Sequence, residues 1–262
     1  MNNPDQVGQQ PLANEETASV VEPGIAQKML LLFSNPILLF ESLRRQSSWL
    51  PPLIILILVS IAAGLIAQPY VMPSVREDVL YYLNNTPNIP EQAIQGAEER
   101  FDKAVEQGVA GSLPNILIGG IIMRSVLFFA VVTVIFLVGT IFYGGVTKYV
   151  KIMSLYSWVL PIWTLGVLIA TPLMIIKNSH NISLSPALLT TPDPTSSTYF
   201  FLHNLGLFNI WAIIVLGIGF SVMYGLSRVK GLVTVIGLWM IWIVINSFVP
   251  YLNFQTWISG LT

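Results

Sequence analysis

The sequence predicts an all-α polytopic membrane protein: a bundle of five transmembrane helices, with amphipathic interfacial helices before the first span and a helical outer loop between the first two spans. The first observation is composition. Hydrophobic residues make up 54% of the 262-residue chain and charged residues only 10%, whereas a soluble domain carries about 25% charged residues. The second observation is a set of five windows without a charged residue, at 46–75, 125–147, 152–176, 194–227 and 231–262. Each window holds the roughly 20 apolar residues that cross a hydrocarbon core, and their continuous apolarity favours helices over a β-barrel.

The segment before the first span divides into a tail and two short helices. Residues 1–24 are polar and have too little apolar content to bury, so we expect a disordered cytoplasmic tail. Helical spacing follows in two runs, Ile25, Met29, Leu32 and Phe33 in the first and Leu39, Phe40 and Leu43 in the second. Pro36 suits the first turn of the second helix, with Asn35 or Ser34 as its cap. The apolar faces fit two arrangements, one in the cytoplasmic membrane interface and one against the bundle.

The five spans are placed at 50–71, 125–146, 155–176, 205–226 and 232–252, and the basic residues near their ends set the orientation. One side carries seven of them: Lys28, Arg44, Arg45, Lys148, Lys151, Arg228 and Lys230. The other side carries four: Arg76, Arg100, Lys103 and Lys177. Because Lys and Arg concentrate in cytoplasmic loops, we expect a cytoplasmic N-terminus and a C-terminus outside.

The outer loop at 73–114 reads as helical. The residues from Ser74 to Glu77 have the spacing of a capping box, which predicts a helix that begins there. A second helix is predicted from Pro90, with an apolar stripe at Ile94, Ala97, Phe101 and Val105 among acidic residues. This hairpin fits either a solvated cap on the bundle or an acidic docking surface.

Chemistry-bearing motifs are absent from the sequence. The chain has no cysteine and two histidines, and neither His180 nor His203 has the spacing of a metal-binding motif. No nucleophile elbow, phosphate-binding loop or paired carboxylate stands in a span. We therefore expect no catalytic residue, no cofactor and no metal site, and a protein that is not an enzyme. The net charge of -1 gives no field that would recruit nucleic acid.

Arg124 is the candidate membrane-embedded polar residue, because it is the one charge in the apolar stretch 115–147. One interpretation places its side chain near the outer interface, where it reaches headgroups or an acidic residue of the outer loop. The alternative is a small permease or channel, with a polar path near Arg124 that includes Asn204, Asn209 and Asn246.

Small residues recur every four positions in several spans, as at Gly217, Ser221 and Gly225. Such stripes let helix backbones approach closely. Packing within the chain explains most of them, and one stripe could also serve a homo-oligomer.

Several motifs together resemble the Yip domain family, which is named for eukaryotic members that interact with Ypt/Rab GTPases. The motifs before and at the first span are Ser34-Asn35-Pro36, Phe40, Leu43 and Trp49-Leu50-Pro51-Pro52. Those between the second and third spans are Gly144-Gly145, Lys151, Tyr156-Ser157 and Pro161. The resemblance covers roughly 29–251, and it assigns residues 25–262 to one five-span membrane domain.

The resemblance implies a non-enzymatic integral membrane protein that acts as an interaction or membrane-organising factor, in membrane trafficking or envelope organisation. Its partners would be membrane lipids and an unidentified membrane or cytoplasmic protein. The Asp-Leu-Tyr-Gly-Pro segment of eukaryotic members is missing, which argues against a Rab-type GTPase. The chain is most similar to the prokaryotic branch, which implies a bacterial cytoplasmic (inner) membrane. The matching loop makes Gly144, Gly145, Lys148, Lys151, Tyr156 and Ser157 the candidate interaction surface; a tight glycine turn with positive-inside anchors explains the same residues.

Overall fold

The computed structural model describes residues 23–85, 89–114, 117, 120–182, 184–190 and 196–248. The regular elements of this part are all helical. They are α1 (Ile25–Ser34), α2 (Pro36–Arg45), α3 (Leu50–Asn85), α4 (Glu91–Pro114), α5 (Gly120–Ile141), α6 (Tyr149–Ser157), α7 (Leu160–Lys177), a 3-10 helix (Pro186–Leu189), α8 (Ser197–Asn204), α9 (Leu207–Tyr224) and α10 (Arg228–Phe248). The predicted tail at 1–24 lies outside the described residues, apart from its last two positions.

Five candidate membrane spans are present in the described part of the chain, which confirms the predicted fold class. They are α3, α5, α6 together with α7, α9 and α10. The predicted spans overlap all five. The largest difference is at α3, which ends fourteen residues after position 71, while α5 begins and ends five residues earlier than predicted and α6 begins six residues before position 155. The buried core lies between α2, α5, α6, α7 and α9.

α3 is longer than the first span requires. Its 36 residues run through Pro69 and Pro73 without a break, so the helix predicted to begin at Ser74 is wrong as a separate element. Membrane helices tolerate internal proline because neighbouring groups satisfy the freed backbone. Ser74, predicted as a cap, donates instead to the carbonyl oxygen of Val71 at 2.9 Å. At about 54 Å, α3 extends well beyond a hydrocarbon core of about 30 Å.

α4 forms the second half of the outer loop and packs against the extension of α3. Its predicted stripe contacts α3 through Phe101, which is buried against Met72 and Val75. An exposed ion pair between Arg76 and Asp102 at 3.2 Å joins the same two helices. The outer loop is therefore helical, as the sequence predicted.

The third span is interrupted between α6 and α7. Pro161 has no N–H to donate to the carbonyl oxygen of Ser157, so the helix breaks at Trp158 and Val159. Trp158 is fully buried there, and its indole N–H donates to the carbonyl oxygen of Ser48, which fixes the chain just before α3.

α1 and α2 form a hairpin that packs against the bundle, so the structure decides between the two arrangements left open above. Leu39, Phe40 and Leu43 are completely buried, and α2 packs along α9. At the hairpin turn the rings of Phe33 and Trp211 lie 5.3 Å apart. Trp211 stands thirteen residues, or about 20 Å, before the end of α9. The hairpin therefore lies beside the spans through much of their depth.

Candidate functional site

Basic residues collect at one end of the bundle, which is called the basic end here. Lys148 is the N-cap of α6, and Arg228 begins α10 four residues after α9 ends. Phe33 contacts Trp211 and Phe40 contacts Gly219, so α2 runs in the same direction as α9. Arg44 and Arg45 in the last turn of α2 therefore lie toward this end as well. All four of these basic side chains are exposed, as is that of Lys230.

The loop at 142–148 joins α5 to α6 at the basic end and contains a glycine turn. Gly144 has φ +60°, in the left-handed region that favours glycine. Gly145 then donates its N–H to the carbonyl oxygen of Gly139 at 3.1 Å. The chain therefore folds back onto the end of α5.

Tyr224, the last residue of α9, packs against this loop and restrains its conformation. Its ring packs on Gly139 and Gly145 so closely that a Cβ at either glycine would overlap ring atoms. The Tyr224 hydroxyl donates to the carbonyl oxygen of Phe136 at 3.1 Å. The absence of side chains at Gly139 and Gly145 thus leaves the space that the Tyr224 ring of α9 occupies.

A second tyrosine ties the loop to α10. The hydroxyl of Tyr143 is hydrogen-bonded to Thr234 Oγ1, and its ring lies 6.1 Å from the ring of Phe220 on α9. With Tyr224, this bond links the loop to both of the last two spans.

Although it is held from inside, the loop exposes apolar side chains. Ile141 is 70% exposed, Phe142 78% and Val146 102%. Lys148 follows directly and is exposed. The side chains of Ile141, Phe142, Val146 and Lys148 are called the loop surface from here on. An apolar surface fixed by the fold and bordered by cations suits contact with a partner or with anionic headgroups.

A polar cluster stands at the opposite end, which is called the His180 end. His180 Nδ1 and its backbone N–H both lie 3.0 Å from Ser74 Oγ, and His180 Nε2 lies 3.4 Å from Asp78 Oδ2. Asn181 donates to the same carboxylate oxygen. This cluster fastens the chain after α7 to the extension of α3.

The His180 cluster holds the chain after α7 against α3 and does not have the geometry of a hydrolytic triad. In a serine triad the serine faces Nε2 and the aspartate Nδ1, whereas here the two are exchanged. The Ser74 hydroxyl is also engaged by the carbonyl of Val71. Burial lowers the pKa of His180, and the nearby Asp78 carboxylate partly opposes that shift. Burial, and then the proximity of His180, lower the pKa of His203.

Arg124 reaches across from α5 to α3, where its Nη1 donates to Ser60 Oγ at 2.8 Å. Among the other residues of the proposed polar path, Asn209 accepts from the indole of Trp163 at 2.8 Å and donates to the carbonyl oxygen of Asn204. The side chain of Asn246 lies outside the described residues. In the part of the chain that the structure describes, no group of three or more His, Asp or Glu side chains could hold a metal ion.

A Yip1 domain model matches residues 30–249. The chain belongs to the Yip1 domain family. The matched region contains α2 to α10 and the second half of α1, and so includes both ends of the bundle. Proteins of the Yip1 family are generally non-enzymatic membrane trafficking proteins. A search of curated proteins and a search of solved structures find no match to the chain.

The predicted interaction residues of this Yip1 domain occupy two places. Gly144, Gly145 and Lys148 lie in the loop, and Lys151 is half-buried in the first turn of α6. Tyr156 and Ser157 lie farther along, in the interior.

Tyr156 and Ser157 support the start of α3. The Tyr156 ring lies between those of Phe128 and Trp163, at 5.5 and 6.0 Å. Ser157 donates to the carbonyl oxygen of Trp49. The structure therefore does not bring these two residues to the loop surface of the Yip1 domain.

Sequence reasoning does not identify the contact between Tyr224 and Gly139. Tyr224 bonds to a residue 88 positions earlier in the chain, and an aromatic residue at the end of an apolar span is ordinary in a membrane protein. A glycine in the last turn of α5, followed by Gly144 and Gly145, was the one available signal of a close approach in this Yip1 domain.

Proposed function

We propose that this Yip1-domain protein is a non-enzymatic interaction factor that recruits a protein partner to the membrane through the loop surface. Its work would lie in membrane trafficking or envelope organisation, and the basic end would face the cytoplasm of a bacterial inner membrane. One observation carries the proposal: the loop exposes apolar side chains while Tyr224 and Tyr143 hold its backbone from inside.

The fixed backbone is what makes the loop suited to binding. A preordered loop loses little conformational freedom when a partner docks, so more of the contact energy appears as affinity. Apolar side chains beside Lys148 and Lys151 favour a partner surface with apolar residues bordered by acidic ones. The net charge of the chain is only -1, so long-range electrostatic attraction contributes little. The partner would be selected by the side chains of the loop surface.

Site-specific photocrosslinking in intact cells tests the proposal. A photoreactive residue at position 146 replaces a side chain that is fully exposed, so we expect it to form a discrete protein adduct. The matched control is position 229 at the basic end, where Val229 is 69% exposed but stands outside the loop; we expect no such adduct there.

The basic residues provide the second arm of this experiment. Replacing Lys148 and Lys151 with Ala should weaken the adduct at 146 and leave membrane insertion intact. Adducts with lipid alone at position 146, or equal protein adducts at 146 and 229, would count against the loop surface as a docking site.

The permease alternative makes a different prediction. It requires solute flux into liposomes that Arg124→Ala abolishes. The interaction proposal predicts flux no greater than that of empty liposomes for the wild type and for Arg124→Ala across a broad solute panel.

A further inference from the structure

The first two turns of α5 stand apart from the rest of the bundle. From Ile121 to Leu127, no residue is buried, and burial in α5 begins at Phe128. α5 packs chiefly on α6, whereas α3 packs chiefly on α7 and α4. Among the described residues, α3 and the beginning of α5 therefore share few contacts, and the space between them that Arg124 bridges is called the cleft here.

Arg124 crosses this cleft with a single described hydrogen bond. Its Nη1 donates to Ser60 Oγ, and Ser60 is itself buried on α3. A guanidinium has five N–H donors in a planar fork, and among the described residues Ser60 accepts from one of them. Within the described residues, no carboxylate lies within ion-pair distance of Arg124.

The walls of the cleft are apolar or small. Ile121 and Leu127 flank Arg124 one turn away on the same face of α5, and Ala63 and Gly64 stand one turn beyond Ser60 on α3. Both small residues are half-buried.

The position of Arg124 also determines what can reach it. On α3, Ser60 lies sixteen residues before Arg76, the next charged residue in that direction, which corresponds to about 24 Å of uncharged helix. A lipid of the surrounding bilayer reaches the Arg124 side chain from the side of the bundle, because that side chain is exposed. A guanidinium in an apolar setting is most favourable when an anion neutralises it.

We propose that the cleft between α3 and α5 binds an anionic phospholipid, whose phosphate contacts the Arg124 guanidinium beside Ser60. A phosphodiester matches the fork of an arginine, which a lysine ammonium does not. A zwitterionic headgroup carries a positive group beside its phosphate and therefore has no net charge to neutralise Arg124. The site should for this reason prefer an anionic phospholipid. This site is independent of the loop surface at the basic end.

Native mass spectrometry of the full-length protein, titrated with phosphatidylglycerol or phosphatidylcholine, tests the proposal. We expect Arg124→Gln to weaken phosphatidylglycerol binding about tenfold, the effect of losing one charge-assisted hydrogen-bonded pair. Arg124→Lys should fall between the wild type and Arg124→Gln. The matched control is Lys177→Gln, which removes an exposed cation at the end of α7 and should bind the lipid as the wild type does.

Three results would overturn the proposal. They are equal binding of phosphatidylglycerol by the wild type and Arg124→Gln, equal binding of the two lipids by the wild type, and equal loss of binding in Lys177→Gln. Inorganic phosphate that competes with the lipid at similar concentration would show a site for a free anion instead. The wild type alone provides a further test, since its thermal stability should be higher in phosphatidylglycerol nanodiscs than in phosphatidylcholine nanodiscs, and equal stability would contradict the site.

Discussion

The ring of Tyr224 occupies the space that a side chain at Gly139 would need. The two residues belong to different spans, α9 and α5, and their contact fixes the loop that follows α5. Glycine at position 139 is thus required by the packing of the helices, since its own backbone is helical.

Gly139→Ala tests this contact. The added methyl group would overlap the Tyr224 ring, so we expect the free energy of unfolding to fall by about 1–3 kcal/mol. The measurement is thermal unfolding in detergent. Gly96→Ala is the control, because a Cβ at Gly96 would meet nothing within 4 Å.

A double variant makes the test specific to the pair. In a Tyr224→Ala background the ring is gone, and Gly139→Ala should then cost almost nothing. Equal losses in the two backgrounds would show that the alanine acts through something other than Tyr224.

Phe40→Ala tests whether the hairpin belongs to the bundle. Phe40 is completely buried, so its truncation should lower the free energy of unfolding by about 3–5 kcal/mol. Phe142→Ala, at a side chain that is 78% exposed, should change it by no more than about 0.5 kcal/mol. If both variants unfolded like the wild type, α2 would lie on the membrane surface.

Acidification should destabilise the His180 end. The pKa values of His180 and His203 are both lowered in the folded protein, so the unfolded chain binds more protons as the pH falls below about 6.5. Stability is therefore fully present above that pH and is lost as the pH falls toward the folded-state pKa values. His203 adds to this loss of stability. Its Nδ1 is buried without a hydrogen-bond partner among the described residues, so the charge of a protonated ring there would not be compensated by a hydrogen bond at this nitrogen.

Hydrogen exchange near His180 at pH 7.5 and pH 5.5 measures this loss. We expect faster exchange at the lower pH in the wild type and a smaller difference in the His180→Gln, His203→Gln double variant. The control segment is the loop at 142–148, which contains no histidine and should exchange alike in both proteins once the rates are corrected for pH. An equal pH effect with and without the two histidines would refute the prediction.

Cysteine labelling tests the orientation, because the chain has no cysteine of its own. Ser227→Cys at the basic end should react only with reagent on the cytoplasmic side, and Glu99→Cys on α4 only with reagent outside. Both native residues are exposed, so both variants should label fully once the membrane is permeabilised. Labelling with the sides exchanged would reverse the orientation.

Much of the fold could be predicted from local features of the chain. The five spans follow from uncharged length, and the apolar faces of α2 and α4 follow from helical spacing, because both properties are set by neighbours in sequence. The predicted break at Ser74 failed because a capping-box spacing does not show whether the preceding helix actually ends. In α3 the helix continues through Pro73, and Ser74 bonds to Val71 and His180 instead.

The candidate site also contains residues that could be predicted from the sequence and residues that could not. Gly144, Gly145 and Lys148 could be found from the sequence, since a glycine pair between two spans predicts a turn and basic residues mark its side of the membrane. The family resemblance groups Tyr156 and Ser157 with them because their motif follows in the sequence. Their side chains, however, point into the interior toward Phe128 and Trp49.

The membrane class, the number of spans and the end at which the basic residues collect can be predicted from the chain alone, because they depend on the composition of single segments. The packing of α2 inside the bundle, the contact of Tyr224 with Gly139 and the hydrogen bond from Arg124 to Ser60 are visible only in the folded protein. Each of these contacts joins residues far apart in the chain, and a span that is apolar on all sides carries no sequence signal for which face meets which neighbour.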